Sequence, residues 1–359
     1  MRRDKISSFS LLALLFISRL MSRLIYIPPR AGPGGGWDEI LLTIVSFAAN
    51  ALLFLPALFL EKSGGGVIRS AKSPAARRLS ASFYAVLFVF AAVQTIARFD
   101  FFATLSMSSR PLAIPFSLLL SAAACYAALL GLTALSRAGC VIGFLMALSL
   151  TALSAALWQK YDVLSMEPPF SYSAGEMSDN LIHSSFLMPE TAVAAVLSDS
   201  TRGGVGKKYF AFLAFSAAAV CAVAFIPAAV FGQAADTRLF ALFQCATVAD
   251  FGSLGRLDPI IVSLWIGGAF VKASLFLASA VISVRQANGN VKKRPAAVFF
   301  AAVTAFAAWR LSRDIGLVSS PALNVIEQVL TGICAAAVPL AALIRVQKRK
   351  KQREAGPET

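Results

Sequence analysis

The chain has 359 residues, 58% of them hydrophobic and only 14% charged, with a mean hydropathy of +0.73, whereas soluble domains carry roughly 25% charged residues. A soluble globular protein is excluded, and ten spans of roughly 20 residues each leave room for short loops but for no separate domain outside the membrane. The 33 Lys and Arg against 18 Asp and Glu would suggest a nucleic-acid partner in a soluble chain; here their placement is better explained by topology and anionic lipid.

Nine apolar windows read as membrane helices: Ser8 to Ile27, Glu39 to Leu60, Ser80 to Ala97, Ile114 to Leu135, Gly139 to Trp158, Phe210 to Val230, Pro259 to Ile282, Pro295 to Trp309 and Leu323 to Ile344. A further window, Leu181 to Leu197, is less apolar and carries His183, Ser184, Ser185, Pro189 and Glu190. Charge counting decides it. With ten spans and a cytoplasmic amino terminus, inner loops and tails hold 22 of the basic residues and outer loops 8, while Arg19, Arg23 and Lys272 lie inside spans. Nine spans would carry Lys292, Lys293, Arg294 and the cluster from Arg345 to Arg353 outside, against the positive-inside rule. Met1 to Lys5 and the run behind them imitate a signal peptide, but Arg19 and Arg23 interrupt the run and no cleavage site follows. The prediction is an all-α polytopic membrane protein of ten helices with both ends in the cytoplasm. It forms a single domain over 1–350 with a basic tail at 346–359. Five helices fill about 8–158 and five about 181–345, which suits two halves of opposite orientation because five is odd.

Ionisable residues at mid-bilayer cost about 3 kcal/mol or more, so each should face a partner, a cavity or a ligand. Arg19 lies about 16 Å into the first helix and Arg23 one turn further on, where it can snorkel to the outer interface. Two like charges four residues apart repel; an anion between them or a break in the helix would relieve this, and anchoring or pairing with structural carboxylates is the alternative. In the sixth helix Pro189 removes a backbone donor and frees the Ser185 carbonyl, which lipid tolerates only where the backbone lines a protein cavity. Glu190 sits beside that break. The break, Ser184, Ser185 and Glu190 form a cradle for a ligand ammonium, with Arg19 suited to its carboxylate; alternatively Arg19 and Glu190 neutralise each other as a buried pair. In the eighth helix Asp258, Trp265 and Lys272 share a face, and Gly268 admits a neighbouring helix. Lys272 either acts as a fixed cation in place of a coupling sodium ion or snorkels inward. Glu327, in the first turn of the tenth helix, reads as structural and complements the helix dipole.

With His183 as the single histidine and five scattered cysteines, the parts for hydrolysis, phosphoryl transfer and metal chemistry are missing. The expectation is a protein that is not an enzyme, with no cofactor and no metal.

The stretch from Asp250 to Leu277, above all Arg256-Leu-Asp258, Trp265-Ile and Phe270-Val-Lys272, resembles the most recognisable segment of the spore permease family, the B subunits of Ger-type endospore germinant receptors. Gly131 to Arg137 resembles the family's glycine-to-arginine turn after helix 4. The resemblance extends over roughly 6–350. It implies membership of the amino acid, polyamine and organocation permease superfamily, with a LeuT-like five-plus-five inverted repeat whose helices 1 and 6 are unwound near the midplane. It also implies a ligand held among helices 1, 3, 6 and 8, which places Ser18, Arg19, Ser22, Gln94, Ser185, Glu190, Trp265 and Lys272 at the site. Partners implied by the family are an A-type membrane subunit and a C-type lipoprotein in the inner spore membrane, with an amino acid or other small nutrient as ligand. The resulting expectation is a nutrient receptor; a proton-coupled amino acid transporter and a purely structural subunit are the alternatives.

Overall fold

A computed structural model describes residues 5–25, 36–71, 73–107, 115–167, 171–183, 186–249 and 258–354. A short strand, β1 (Ile6–Ser7), leads into α1 (Ser8–Leu24), whose first turn is capped by Ser7 Oγ accepting from the Ser10 N–H at 3.0 Å. There follow α2 (Gly36–Lys62), α3 (Pro74–Met107), α4 (Phe116–Leu130) and α5 (Leu132–Ala156). The turn between α4 and α5 lies earlier than the hydropathy windows place it. Gly131 alone separates the two helices, because its φ of 101° is open to glycine and closed to most other residues.

The expected sixth span is two helices, α6 (Ala174–His183) and α7 (Pro189–Leu197), followed by β2 (Thr201–Arg202). Beyond it lie α8 (Lys208–Phe231), α9 (Ala241–Val248), α10 (Asp258–Ala287), α11 (Lys293–Leu311), a single turn α12 (Ile315–Val318) and α13 (Pro321–Gly332). A π-helical turn over Ile333–Ala337 then joins α13 to α14 (Val338–Glu354), and the Tyr84 hydroxyl donates to the Cys334 carbonyl within it at 2.5 Å. The break in helix 6 is present. Helix 1 is not broken: α1 stays helical through Ser18, Arg19, Leu20, Met21 and Ser22, where neither glycine nor proline interrupts the ladder.

Among the described residues six helices are long and apolar enough to cross a membrane, and α4 is a shorter apolar helix. With α1, the α6–α7 pair and α11 the arrangement is consistent with ten spans. Large apolar side chains such as Leu52, Phe144, Phe215 and Phe306 point away from the bundle, as lipid contact requires. The protein is an integral membrane protein. Pro56 inside α2 and Pro227 inside α8 are tolerated, as helix-breaking residues are in membrane helices.

The inner helices are α3 and α10, packed along each other, with α1, α4 and α5 also against α10. Glycine sets how close they come. A Cβ on Gly268 would lie 2.9 Å from Met21 Sδ and 3.0 Å from Met146 Sδ, so α1 and α5 both press on α10 at this point. The approach holds Ser22 of α1 beside Lys272, one turn further along α10.

At the end of the bundle where α1 begins, β1 pairs in parallel with β2, Ile6 opposite Thr201 and Ser7 opposite Arg202. This ladder is a small departure from an all-α chain, and the surrounding bonds stitch three segments together. Ser8 Oγ donates to the Gly204 carbonyl at 2.5 Å, the Gly206 N–H donates to Glu61 at 3.1 Å, and Arg69 stands 3.9 Å from Asp199.

Candidate ligand-binding site

The gap between α6 and α7 is held open by α2. Asn50, fully buried in the middle of α2, donates its amide to the Ser46 carbonyl at 2.7 Å and to the Phe186 carbonyl at 3.0 Å. Its oxygen accepts from the Met188 N–H at 2.8 Å and from Thr191 Oγ1 at 3.0 Å. One side chain therefore supplies the groups that a continuous helix would supply to itself. Ser46 donates to the same Phe186 carbonyl at 2.6 Å, and the Tyr209 hydroxyl donates to Thr191 at 2.8 Å. Pro189 then starts α7 at the position where a missing N–H costs nothing.

That construction delivers Glu190 into the interior, 1% exposed. Its Oε1 accepts from Ser18 Oγ at 2.6 Å and lies 3.5 Å from Lys272 Nζ, while Lys272 also donates to Ser22 Oγ. Ser18, Ser22, Glu190 and Lys272 thus form one network across α1, α7 and α10. Lys272 does not snorkel: it is 7% exposed and its ammonium stands over the Phe276 ring at 5.7 Å, because Glu190 and Ser22 give it a partner at depth. The second carboxylate oxygen, Glu190 Oε2, is buried with no hydrogen-bond partner.

Arg19 stands on the same helix as Ser18 and Ser22 but outside their hydrogen bonds. Among the described residues it makes no ion pair: its guanidinium lies over the Phe47 ring at 5.4 Å, and its buried Nε has no partner. The alternative of a direct Arg19–Glu190 pair is therefore not what the structure contains, since Glu190 is engaged by Lys272 and Ser18. Arg23 is paired with Glu39 at the far end of α1.

Gln94 and Trp265 belong to neighbouring clusters. Gln94, 3% exposed, donates to Glu327 Oε2 at 3.1 Å and to the Leu323 carbonyl at 3.3 Å, leaving its own oxygen without a partner. Glu327 is itself buried within the bundle, 7% exposed, with Gln94 as its partner. Arg98, one turn beyond Gln94, donates to Asn324 at 2.6 Å. Trp265 packs against Phe102 at 5.4 Å and Phe243 at 6.4 Å, forming an aromatic wall two turns along α10 from Lys272. Ser185, the remaining expected site residue, and the Asp250 to Leu257 part of the motif lie outside the described residues. Sequence reasoning missed Asn50, Thr191, Tyr209 and the Gln94–Glu327 bond; the available signal was an amide in an otherwise apolar span.

The arrangement has a cation without an anion (Arg19) and two buried acceptors without donors (Glu190 Oε2 and Gln94 Oε1). These groups are complementary in charge and hydrogen bonding to a small polar molecule carrying both an acidic and a donating group.

The sequence matches the family described as spore germination protein, the spore permeases, over residues 5–314. The chain belongs to the spore permease family. No curated protein matches the sequence. Two solved transporters resemble this spore permease in fold. One is Mhp1, a nucleobase-cation-symport-1 family transporter in a closed conformation with bromovinylhydantoin bound, at 12% identity and a TM-score of 0.58, over 97% of this chain and 94% of that one. The other is a Na+-coupled sialic acid symporter in a substrate-bound outward-open state, at 16% identity and a TM-score of 0.55, over 92% of this chain and 78% of that one. The spore permease therefore has the LeuT-type permease fold, and family and fold are those of permeases and not of enzymes.

Proposed function

We propose that this spore permease is the membrane subunit of a nutrient germinant receptor that binds a zwitterionic nutrient, an amino acid, among α1, α3, α7 and α10. The observation that carries the reading is the Arg19 guanidinium, left without an acidic partner beside a broken helix. A ligand carboxylate would complete it with charge-assisted bonds. The ligand ammonium would take the acceptors that stand unpaired, Glu190 Oε2 and Gln94 Oε1, with Trp265 as the wall and Ser185 as the further contact that the family resemblance implies. The surplus of basic residues in the expected inner loops supports a topology with both termini and the β1–β2 ladder in the cytoplasm, and the helix count supports two five-helix repeats over about 8–158 and 181–345.

The same two helices that carry the site carry the ladder. Ile6–Ser7 continue directly into α1, which bears Ser18, Arg19 and Ser22, and α7, which bears Glu190, leads through Ser198–Ser200 into Thr201–Arg202. A ligand that changes the spacing of α1 and α7 would alter the ladder, presenting a different face to an A-type membrane subunit and a C-type lipoprotein. The test is germination of spores lacking this chain against a panel of single nutrients, with a complemented strain. Selective loss of response to one nutrient class, restored by the gene, is expected; an unchanged response to every nutrient contradicts the reading.

A second reading, proton-coupled transport of an amino acid, is favoured by the buried Glu190–Lys272 pair, whose members both titrate, and by a fold shared with symporters. Uptake of labelled amino acid into proteoliposomes, driven by a proton gradient and abolished in Glu190→Gln, distinguishes it.

A further inference from the structure

A separate recess lies at the end of the bundle opposite the β1–β2 ladder. It has a cavity volume of about 40 Å³ and is lined by Arg23, Glu39, Pro227, Ala235, Arg238 and Phe240, among others. Arg23 and Glu39 form an ion pair within it. Arg238 is held differently: its guanidinium stacks over Phe231 at 4.2 Å and donates to Gln244 at 2.6 Å, and Gln244 is anchored to the Leu239 carbonyl at 3.1 Å. Its buried Nε has no hydrogen-bond partner, and among the described residues no carboxylate pairs with it. The recess thus contains two fixed guanidiniums and one carboxylate, with the second guanidinium oriented by neutral groups alone, an arrangement that fits a planar anion.

The lining is also strained. Phe240 is the one non-glycine residue with positive φ among the described residues, at 54°. This conformation turns its ring inward, 2% exposed, edge-on to Phe102 at 4.9 Å, and Phe102 in turn meets Trp265 at 5.4 Å. An aromatic column therefore runs from the recess to the helix that carries Lys272. Strain of this kind persists where the surroundings impose it, commonly at ligand sites.

We propose that this recess is a second binding site, for a small carboxylate, with Arg238 as the residue that takes the anion. It is independent of the central reading, since none of the residues assigned to the central site lines it. The test uses the full chain in lipid nanodiscs at fixed ionic strength and trifluoroacetate as the probe, read by 19F line broadening, with neutral trifluoroethanol as control. Saturable broadening by trifluoroacetate alone is expected. In Arg238→Gln and in Ala235→Phe, which fills the recess without touching a charge, this component should weaken at least tenfold, in whichever variant inserts and folds, while it persists in Arg19→Gln. Titrations of both recess variants that match the unmodified chain overturn the proposal, as does loss of the whole signal in Arg19→Gln. Failure of the central reading looks different: Arg19→Gln would then leave every component of the broadening unchanged.

Discussion

Lys272 of α10 and Glu190 of α7 form a buried ion pair, Nζ to Oε1 at 3.5 Å, with side chains 8% and 2% exposed. Breaking a buried pair from one side leaves an uncompensated charge, at about 3–5 kcal/mol, whereas removing both charges together is often close to neutral. Glu190→Gln and Lys272→Met should each lower the melting temperature of the protein in nanodiscs, and the double variant should recover most of the loss. Strictly additive losses would show that the pair is not coupled.

Asn50 stands in for the backbone at the α6–α7 gap, bonding Phe186, Met188 and Thr191. Asn50→Leu removes these partners in one step and leaves buried backbone groups unsatisfied, at about 2 kcal/mol or more. Hydrogen exchange at Leu187 to Thr191 should rise well above that at α10. Exchange at the level of the parent chain would mean that the gap is held by other contacts.

The parallel pairing of Ser7 with Arg202 offers a way to lock the ladder. Ser7→Cys with Arg202→Cys places two thiols opposite each other on neighbouring strands, within disulfide reach. Oxidised spores should lose nutrient response and regain it on reduction. Full response with complete cross-linking would show that the ladder does not open during signalling.

Outside the membrane spans, the start of α6 has a reciprocal cap. The Ser173 N–H donates to Glu176 at 2.8 Å and the Glu176 N–H donates to Ser173 Oγ at 3.3 Å. These bonds from Ser173 hold the Glu176 carboxyl below its ordinary value. A carboxyl depressed in the folded state stabilises above its unfolded pKa and stops doing so as pH falls through the folded one. Protection factors at Met177 and Ser178, corrected for the intrinsic pH dependence of amide exchange, should therefore hold at neutral pH and fall as Glu176 is protonated in acid, and should be low at every pH in Glu176→Ala. Protection factors in the parent chain that do not change with pH would contradict the cap.

How far the site is legible in the sequence depends on the kind of group. Arg19, Glu190 and Lys272 stand out because a charge in an apolar run is costly wherever it points, and Pro189 marks the break because it lacks a donor. Which charge meets which is not legible: Lys272 and Glu190 come from helices 82 residues apart in the chain that only the tertiary packing brings together, and Gln94 meets Glu327 across 233 residues of chain. Asn50 escapes because one amide scarcely changes the hydropathy of a 27-residue helix. The β1–β2 ladder has two residues per strand and so no period to detect. The unbroken α1 shows the converse, a local sequence without glycine or proline prevailing over the break expected from resemblance.

The central claim is that Arg19 receives the carboxylate of the nutrient. It is tested most directly by germination of spores carrying Arg19→Gln at normal membrane levels, scored by loss of refractility over a concentration series of the nutrient that the deletion strain fails to detect. The account predicts a response shifted at least tenfold to higher concentration, or abolished, with responses through other receptors intact. A concentration dependence identical to that of the parent spores would contradict it.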